Sequence, residues 1–343
     1  MKIRDRHIGH GLAPYVIAEL GVNHDGSVDK ALALVDAAAN AGADAVKLQC
    51  FRAELLMSRA SVLAAYQKDA GERDPVAMLA RLELPWAAMA RVVEHARARG
   101  LHAIVTVFSV ELVREADALG WDAYKTASPD IINRPLIDAL LATGRPIILS
   151  TGAASEEEIS RAMGWLVPSF TRAAVLQCVS SYPAEPAHAA LAGVTALRDL
   201  CAVPVGYSDH TTLAETGALA VVAGACILEK HLTYDRAAPG PDHAASLDPA
   251  GFARYVELAR LARTMLGPPE KRVQACEQDV RRVSRQSLVA VRPLPAGHAI
   301  SRDDLTVKRP GTGIEPWRLV EVVGRRLSRS VEADQPLPHD AIE

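Results

Sequence analysis

The chain has 343 residues, of which 49% are hydrophobic and 4% aromatic, with a formal net charge of -3 from 38 basic and 41 acidic side chains. A chain this long and this Ala/Val/Leu-rich can bury a sizeable core, which excludes a disordered or coiled-coil protein. Charges so evenly mixed leave no footprint for nucleic acid or an anionic membrane as partner. The opening MKIRDRHIGHG lacks the apolar stretch of a secretory signal, and no apolar run is long enough to span a bilayer. Five scattered cysteines without a CxxC pair fit a reducing compartment, so a cytoplasmic protein is expected.

From about residue 15 to residue 266, short apolar runs alternate with longer helical stretches, the rhythm of βαβ units around a parallel sheet. The first predicted strand, YVIAEL (15–20), carries Glu19 and leads into a loop that opens with Asn23 and His24. An acid in an apolar strand needs a cation, a metal or a proton, and a structural salt bridge is the plain alternative to a functional role. The stretch VDKALALVDAAANAG follows with apolar residues at helical spacing and ends on Gly42 as a C-capping glycine.

The second strand, AVKLQC (45–50), and the fourth, AYKTA (123–127), place Lys47 and Lys125 near one end of the sheet. Two ammonium groups there repel unless something anionic lies between them, and a phosphate or carboxylate ligand is the expected occupant. Two other readings compete: each lysine pairs with a local acid, or one is a Schiff-base nucleophile. Between these strands, residues 52 to 85 form a long excursion of the kind that becomes a substrate loop or lid, and HAIVTVF (102–108) is the third strand.

The fifth strand, PIILST (146–151), ends in Ser150, Thr151 and Gly152, a turn whose amides can cradle an anion. Ser155 ahead of three glutamates reads as a helix N-cap with dipole-complementing acids, without function. The sixth strand, AAVLQC (173–178), runs into CVSSYPAEP, where Ser180, Ser181 and Tyr182 offer hydroxyls to a polyol.

The seventh, VPVGYS (203–208), continues to His210, and alternation puts Ser208 and His210 on one face. The eighth, ACILEK (225–230), continues to His231, so Glu229 and His231 share a face with Lys230 opposite, and the Gly/Pro-rich turn beyond carries Asp242 and His243. Two histidines on adjacent strands can share one divalent ion, and the want of a third strong ligand suits Mn²⁺ or Mg²⁺ rather than structural zinc. His95, His102, His188, His298 and His339 read as ordinary hydrogen-bonding residues.

Eight strands and eight helices predict an α/β fold of the (β/α)8 TIM-barrel kind. A doubly wound open sheet also alternates, but it gathers its site at one switch point, whereas here polar residues crowd the C-terminal end of nearly every strand. Beyond LGPPEK the pattern changes to short strand-like pieces. The expected division is a barrel over 1–267, a linker over 268–283 and a small β-rich domain over 284–343.

In order along the chain, AELGVNHDG, AGADAVKLQCF, YKTAS, PIILSTG, SSYP, VGYSDHT, GACILEKH, PGPDHAASLDP and KRPGTGI resemble the N-acetylneuraminate (sialic acid) synthase family. The resemblance implies a barrel followed by an antifreeze-like (SAF) domain and a transferase that condenses phosphoenolpyruvate with an N-acetylated amino sugar, releasing phosphate. N-acetylmannosamine giving N-acetylneuraminate comes first, and legionaminic acid synthesis from 2,4-diacetamido-2,4,6-trideoxymannose stays open. Lys47, Lys125, Ser150 and Thr151 would hold phosphoenolpyruvate with Ser128 and Ser208 assisting, and His210 and His231 would ligate Mn²⁺ or Mg²⁺. Glu19 would position the metal-bound water or take its proton, and Tyr182, Glu229 and Asp242 would hold the sugar. Gln49, Thr106 and Ser180 complete the implied substrate-binding set, and a domain-swapped homodimer would bring Arg309 to the partner's active site. The chain departs from the family pattern at Val107, at Ser180 and at Asp69 with Ala70, all of which bear on sugar recognition. Outside this class, a lysine Schiff-base aldolase and a non-catalytic sugar-binding protein remain as alternatives.

Overall fold

The computed structural model describes residues 1–343, with the side chain of Asp69 alone outside the described residues. The chain divides into two units, Met1–Pro268 and Pro269–Glu343. In the first, strands β1 (Tyr15–Glu19), β2 (Ala45–Cys50), β3 (His102–Val107) and β4 (Ala123–Lys125) are followed by β5 (Ile147–Ser150), β6 (Ala173–Cys178), β7 (Val205–Asp209) and β8 (Ile227–His231). All pair in parallel and close into a barrel, β8 against β1, so the open-sheet alternative is set aside. β4 stops short of its expected end because Ser128 and Pro129 turn at once into a 3₁₀ helix, Ser128–Ile132.

Strand alternation sorts the side chains. Outward residues such as Val16, Leu48, Val105 and Leu149 pack against the surrounding helices in the larger apolar core. Inward residues change character along the strands. At the N-terminal end Tyr15, Ile17, Ala45, Ile104, Ile148 and Leu176 fill the barrel, joined by Ile3 and Ile8 from the N-terminal hairpin. Nearer the C-terminal end the inward positions turn polar: Glu19, Lys47, Lys125, Ser150, Ser208, Glu229 and His231 are all buried. An apolar plug thus lies beneath a polar layer, and that layer is the mouth of the barrel.

Local signals place the helices. Ser27 caps the helix Val28–Asn40, which buries Ala31, Leu34, Val35 and Ala38 at i, i+3, i+4 and i+7, and Gly42 follows at φ +82. Ser155 and Glu158 form a capping box at the start of Glu156–Leu166, with both reciprocal bonds made (2.8 and 3.3 Å). The 52–85 excursion folds into short helices, Ala53–Leu56, Ala65–Asp69 and Pro75–Leu82. Its Leu63, Met78 and Leu82 bury with Val22 and Phe51 in a separate apolar cluster.

The second unit has its own core, including Leu288, Leu294, Ile300, Leu305, Leu327 and Leu337. Strands β9 (Ser287–Ala290) and β10 (Leu305–Lys308) pair antiparallel, and isolated bridges tie in Pro336, Val331 and Arg326. The stretch expected to be a linker carries a 3₁₀ turn, Ala275–Glu277, and a short helix, Gln278–Ser284. Among the described residues no helix is long and apolar enough to cross a membrane.

Candidate active site

Register brings the polar layer together. Parallel pairing sets Glu19 beside Lys47, Gln49 beside Thr106, Thr106 beside Lys125, Cys178 beside Ser208, Ser208 beside Glu229 and His231 beside Glu19. Residues from opposite ends of the barrel sequence, Glu19 and His231 among them, thereby become neighbours on one ring, Lys47 next to Glu19 and two strands from Thr106's partner Lys125, across to Ser208 and Glu229 of β7 and β8, whose side chains meet over 21 positions. The ring floors a cavity of about 390 Å³.

The floor is ionic. Lys47 contacts the Glu19 carboxylate directly and lies 3.9 Å from Glu229, while Lys125 lies 3.5 Å from Glu229. The protein's own Glu229 therefore stands between the two lysines, which is the local-acid pairing weighed against a ligand above. Ser208 donates to Glu229 Oε1 at 3.0 Å, and Glu229 Oε2 is buried without a hydrogen-bond partner. Burial alone would raise the Glu229 carboxyl, but Lys125 and Lys47 outweigh it and hold the group below its usual range. Glu19 goes the other way: burial, reinforced by the Glu229 charge, raises it to about 7 despite Lys47. Its Oε1 accepts from the Gly21 amide at 2.8 Å and from Gln49 Nε2 at 3.4 Å. Lys47 also donates to Thr106 Oγ1 at 2.9 Å.

Two imidazoles border this floor, their ring centroids 5.5 Å apart. His210 Nδ1 is 2.8 Å from the Val179 carbonyl, which can only accept, so Nδ1 carries the proton and Nε2 is the nitrogen left for a ligand. His231 Nδ1 has no hydrogen-bond partner and lies 3.7 Å from Asp242 Oδ2. Burial, with His210 and Lys47 nearby, holds His231 well below the usual imidazole range and thus neutral. No cluster of three or more His, Cys, Asp or Glu arranged for a metal occurs among the described residues. The donor set still fits a divalent cation held by two imidazoles, with an unpartnered ring nitrogen and an unpartnered carboxylate oxygen beside it. Its other positions would fall to water and substrate.

Above the ions the cavity wall changes. Tyr182 stacks on His210 (centroids 4.1 Å apart) and meets Tyr66 at 5.0 Å. The excursion then adds Leu56, Met57, Met78, Leu79 and Leu82, so the outer wall is largely apolar. Ser128, Ser150, Ser180 and Asp242 line the cavity as well. Burial raises Asp242 to about 6. Thr151 does not reach it: its hydroxyl and amide both go to the Leu176 carbonyl, and the Gly152 amide goes to Ser128 Oγ at 3.0 Å. The amide cradle expected at this turn is thus largely spent within the protein. Glu19 sits behind Lys47 rather than on the cavity surface, and Arg309 is exposed in the second unit.

Asn23 and His243 serve the loops, Asn23 donating to the Leu232 carbonyl (2.9 Å) and Ser246 (2.7 Å), and His243 pairing with Asp25 at 3.0 Å. Sequence reading missed Tyr66, Asp130 and the methionine- and leucine-rich wall, all of which line the cavity. The length of the excursion signalled Tyr66 and the wall, whereas Asp130 follows β4 and no pattern singled it out.

A closed parallel barrel whose strand ends converge on buried lysines, carboxylates, hydroxyls and paired histidines has the architecture of a barrel enzyme with a polar small-molecule site at its mouth. The chain belongs to the NeuB family, which matches residues 34–271, and a SAF domain matches residues 285–343. It is similar to the N,N'-diacetyllegionaminic acid synthase of Legionella pneumophila, 36% identical over 342 residues that span 98% of this chain and 96% of that one. The N-acetylneuraminate-9-phosphate synthase of Mus musculus is 29% identical over 346 residues, 98% of this chain and 95% of that one. In structure it resembles the N-acetylneuraminic acid (sialic acid) synthetase of Leptospira borgpetersenii crystallised with citrate, with a TM-score of 0.75 and 31% identity over 82% of this chain and 94% of that one. The chain is therefore an enzyme of the nonulosonic acid synthase class, as the resemblance in its motifs implies.

Proposed function

We propose that the enzyme condenses phosphoenolpyruvate with a 2,4-diacetamido-2,4,6-trideoxy sugar to give a legionaminic-type acid and phosphate. This places the legionaminate branch ahead of N-acetylmannosamine and N-acetylneuraminate, which the motifs put first. One observation carries the preference: the outer wall of the cavity is apolar, built from Leu56, Met57, Met78, Leu79 and Leu82. A sugar with a methyl at C6 and a second N-acetyl group presents apolar surface to such a wall, whereas the C6 hydroxyl of N-acetylmannosamine would lose water there without a partner. The 36% identity to the Legionella enzyme, against 29% to the mouse one, supports the same choice.

In this reading Lys47 and Lys125 hold the carboxylate and phosphate of phosphoenolpyruvate, with Ser128 and Ser150 beside them. Glu229 keeps the two ammonium groups from repelling each other before substrate arrives. Tyr182 and Asp242 orient the sugar so that its open-chain C1 faces C3 of phosphoenolpyruvate. His210 and His231 would hold a divalent cation, which supplies Lewis acidity toward the sugar aldehyde when bound. As the new carbon–carbon bond forms, positive charge develops at C2, water adds there, and phosphate leaves. Glu19, raised to about 7 and lying behind Lys47, takes the proton of that water by way of the Lys47 ammonium, which passes one proton to Glu19 as it gains one from the water, and Lys47 stabilises the carboxylate that Glu19 must be beforehand. The lysine-aldolase alternative loses ground at Lys47, which is held above its usual range: burial alone would lower it, but Glu19 and Glu229 outweigh that effect. Burial holds Lys125 below its usual range and leaves it as the lysine on which that alternative is tested.

The test is phosphate release from phosphoenolpyruvate with 2,4-diacetamido-2,4,6-trideoxymannose and with N-acetylmannosamine, each with Mn²⁺ and then with chelator. A higher kcat/KM for the diacetamido sugar is expected. A preference for N-acetylmannosamine would return the enzyme to the neuraminate branch, and full activity in chelator would remove the cation from the mechanism.

A further inference from the structure

Behind the histidine pair, on the opposite faces of β7 and β8, lies an ion pair that no step above uses. Asp209 and Lys230 are both fully buried, sit directly opposite each other in the strand register, and approach to 3.2 Å. On most other strands the outward positions toward this end of the barrel carry no charge, as at Leu20, Leu48, Val107 and Leu149. The charges occur on the two strands that carry His210 and His231. Asp209 is the residue between Ser208 and His210, and Lys230 the residue between Glu229 and His231.

Their bonds converge on the backbone around His210. Lys230 Nζ donates to the Thr211 carbonyl, the Thr211 amide donates to Asp209 Oδ1 at 2.9 Å, and the Thr211 and Thr216 hydroxyls are 2.9 Å apart. Tyr255 covers the pair, its ring centroid 5.7 Å from Lys230 Nζ. It is itself held tightly, since a Cβ on Gly217 would fall 2.5 Å from the ring. His210 is thus flanked on both sides by residues tied to Lys230, and Lys230 is bonded directly to His231 in the chain. A buried ion pair adds little net stability, because desolvation offsets the attraction, and its best-attested use is to fix register. A one-residue slip between β7 and β8 would turn one histidine out of the barrel.

We propose that Asp209 and Lys230 are positioning residues that hold His210 and His231 at a fixed spacing for a divalent cation. This rests on the assignment of the two histidines as cation ligands. The experiment measures Mn²⁺ affinity of metal-free protein by electron paramagnetic resonance, alongside thermal unfolding, for wild type, His231→Ala, the apolar double variant Asp209→Leu/Lys230→Met, and the shape-preserving Asp209→Asn. The expected result is a double variant that unfolds close to the wild-type temperature yet binds Mn²⁺ at least about tenfold more weakly, with Asp209→Asn weakened in the same direction. Wild-type affinity in the folded double variant overturns the positioning role alone. Should the double variant not fold, wild-type affinity in Asp209→Asn overturns it equally. If wild type binds no Mn²⁺, or His231→Ala binds it unchanged, the ligand assignment falls and the positioning role with it.

Discussion

Lys47 and Lys125 show what a residue in a sequence reveals and what it conceals. Their location at the barrel mouth follows from strand alternation alone, and so does the need for something anionic between them. That Glu229, from a strand about a hundred residues or more away, fills this place depends on the closure of β8 onto β1, which no local pattern encodes. The arrangement makes a pH prediction. Glu19 is raised to about 7 by burial and, in the same direction, by Glu229, so a reaction that needs its carboxylate loses rate as pH falls through about 7. Neutralising Glu229 removes the second cause and leaves the first. The acid limb of kcat/KM in Glu229→Gln should therefore move to lower pH, measured on whatever residual activity remains; a limb that stays in place would dissociate it from Glu19. His231 offers a second prediction at this scale. Neutral, unpartnered and within 3.7 Å of Asp242, it should on replacement by alanine lose at least about a hundredfold of Mn²⁺-dependent turnover, with little change in thermal unfolding. Equal turnover in His231→Ala would sink the ligand role.

At the scale of elements, regular pieces were legible because their signals are local. The eight strands, the Ser155 cap and the Gly42 exit follow from periodicity and capping chemistry. The 52–85 excursion was legible only as an anomaly of length. Its short helices are placed by Leu63, Met78 and Leu82 packing on Val22 and Phe51, residues of other loops, and its Tyr66 finds Tyr182 across the cavity. The turn after β5 separates a structural element end from a functional one within four residues. Ser155→Ala should cost about 1 kcal/mol of stability and leave kcat/KM unchanged, because the hydroxyl serves only the Glu158 amide. Gly152→Ala should do the reverse. A Cβ there would lie 2.7 Å from Ser128 Oγ and 3.0 Å from Cys178 Sγ, pushing the hydroxyl and thiol that line the cavity. We expect kcat/KM to fall at least about tenfold from displaced substrate contacts, and wild-type kinetics would show that the hydroxyl-lined end accommodates a methyl.

At the scale of the whole molecule, the ordering of motifs revealed a barrel and a second domain, but not where the second domain acts. Every residue lining the cavity belongs to Met1–Pro268, while Arg309 lies exposed in Pro269–Glu343. Arg309 is exposed and lies outside that unit's apolar core, and a guanidinium suits a carboxylate or an N-acetyl oxygen presented by another surface. The resemblance implies that this surface is the active site of a second copy, which makes the prediction one of complementation. Arg309→Ala should lower kcat/KM without changing thermal unfolding. Lys47→Met should lower kcat/KM as well, because it damages the barrel site of the same chain. Unfolded and refolded together in equal amounts, the two variants should recover about a quarter of wild-type activity, because half of the dimers are mixed and each mixed dimer holds one intact pairing of barrel and arginine. If Arg309 served its own chain's barrel, no mixed dimer would contain a complete site and activity would stay at the level of the single variants. Recovery against no recovery therefore decides which copy the arginine serves, and full activity of Arg309→Ala alone would remove it from the site altogether.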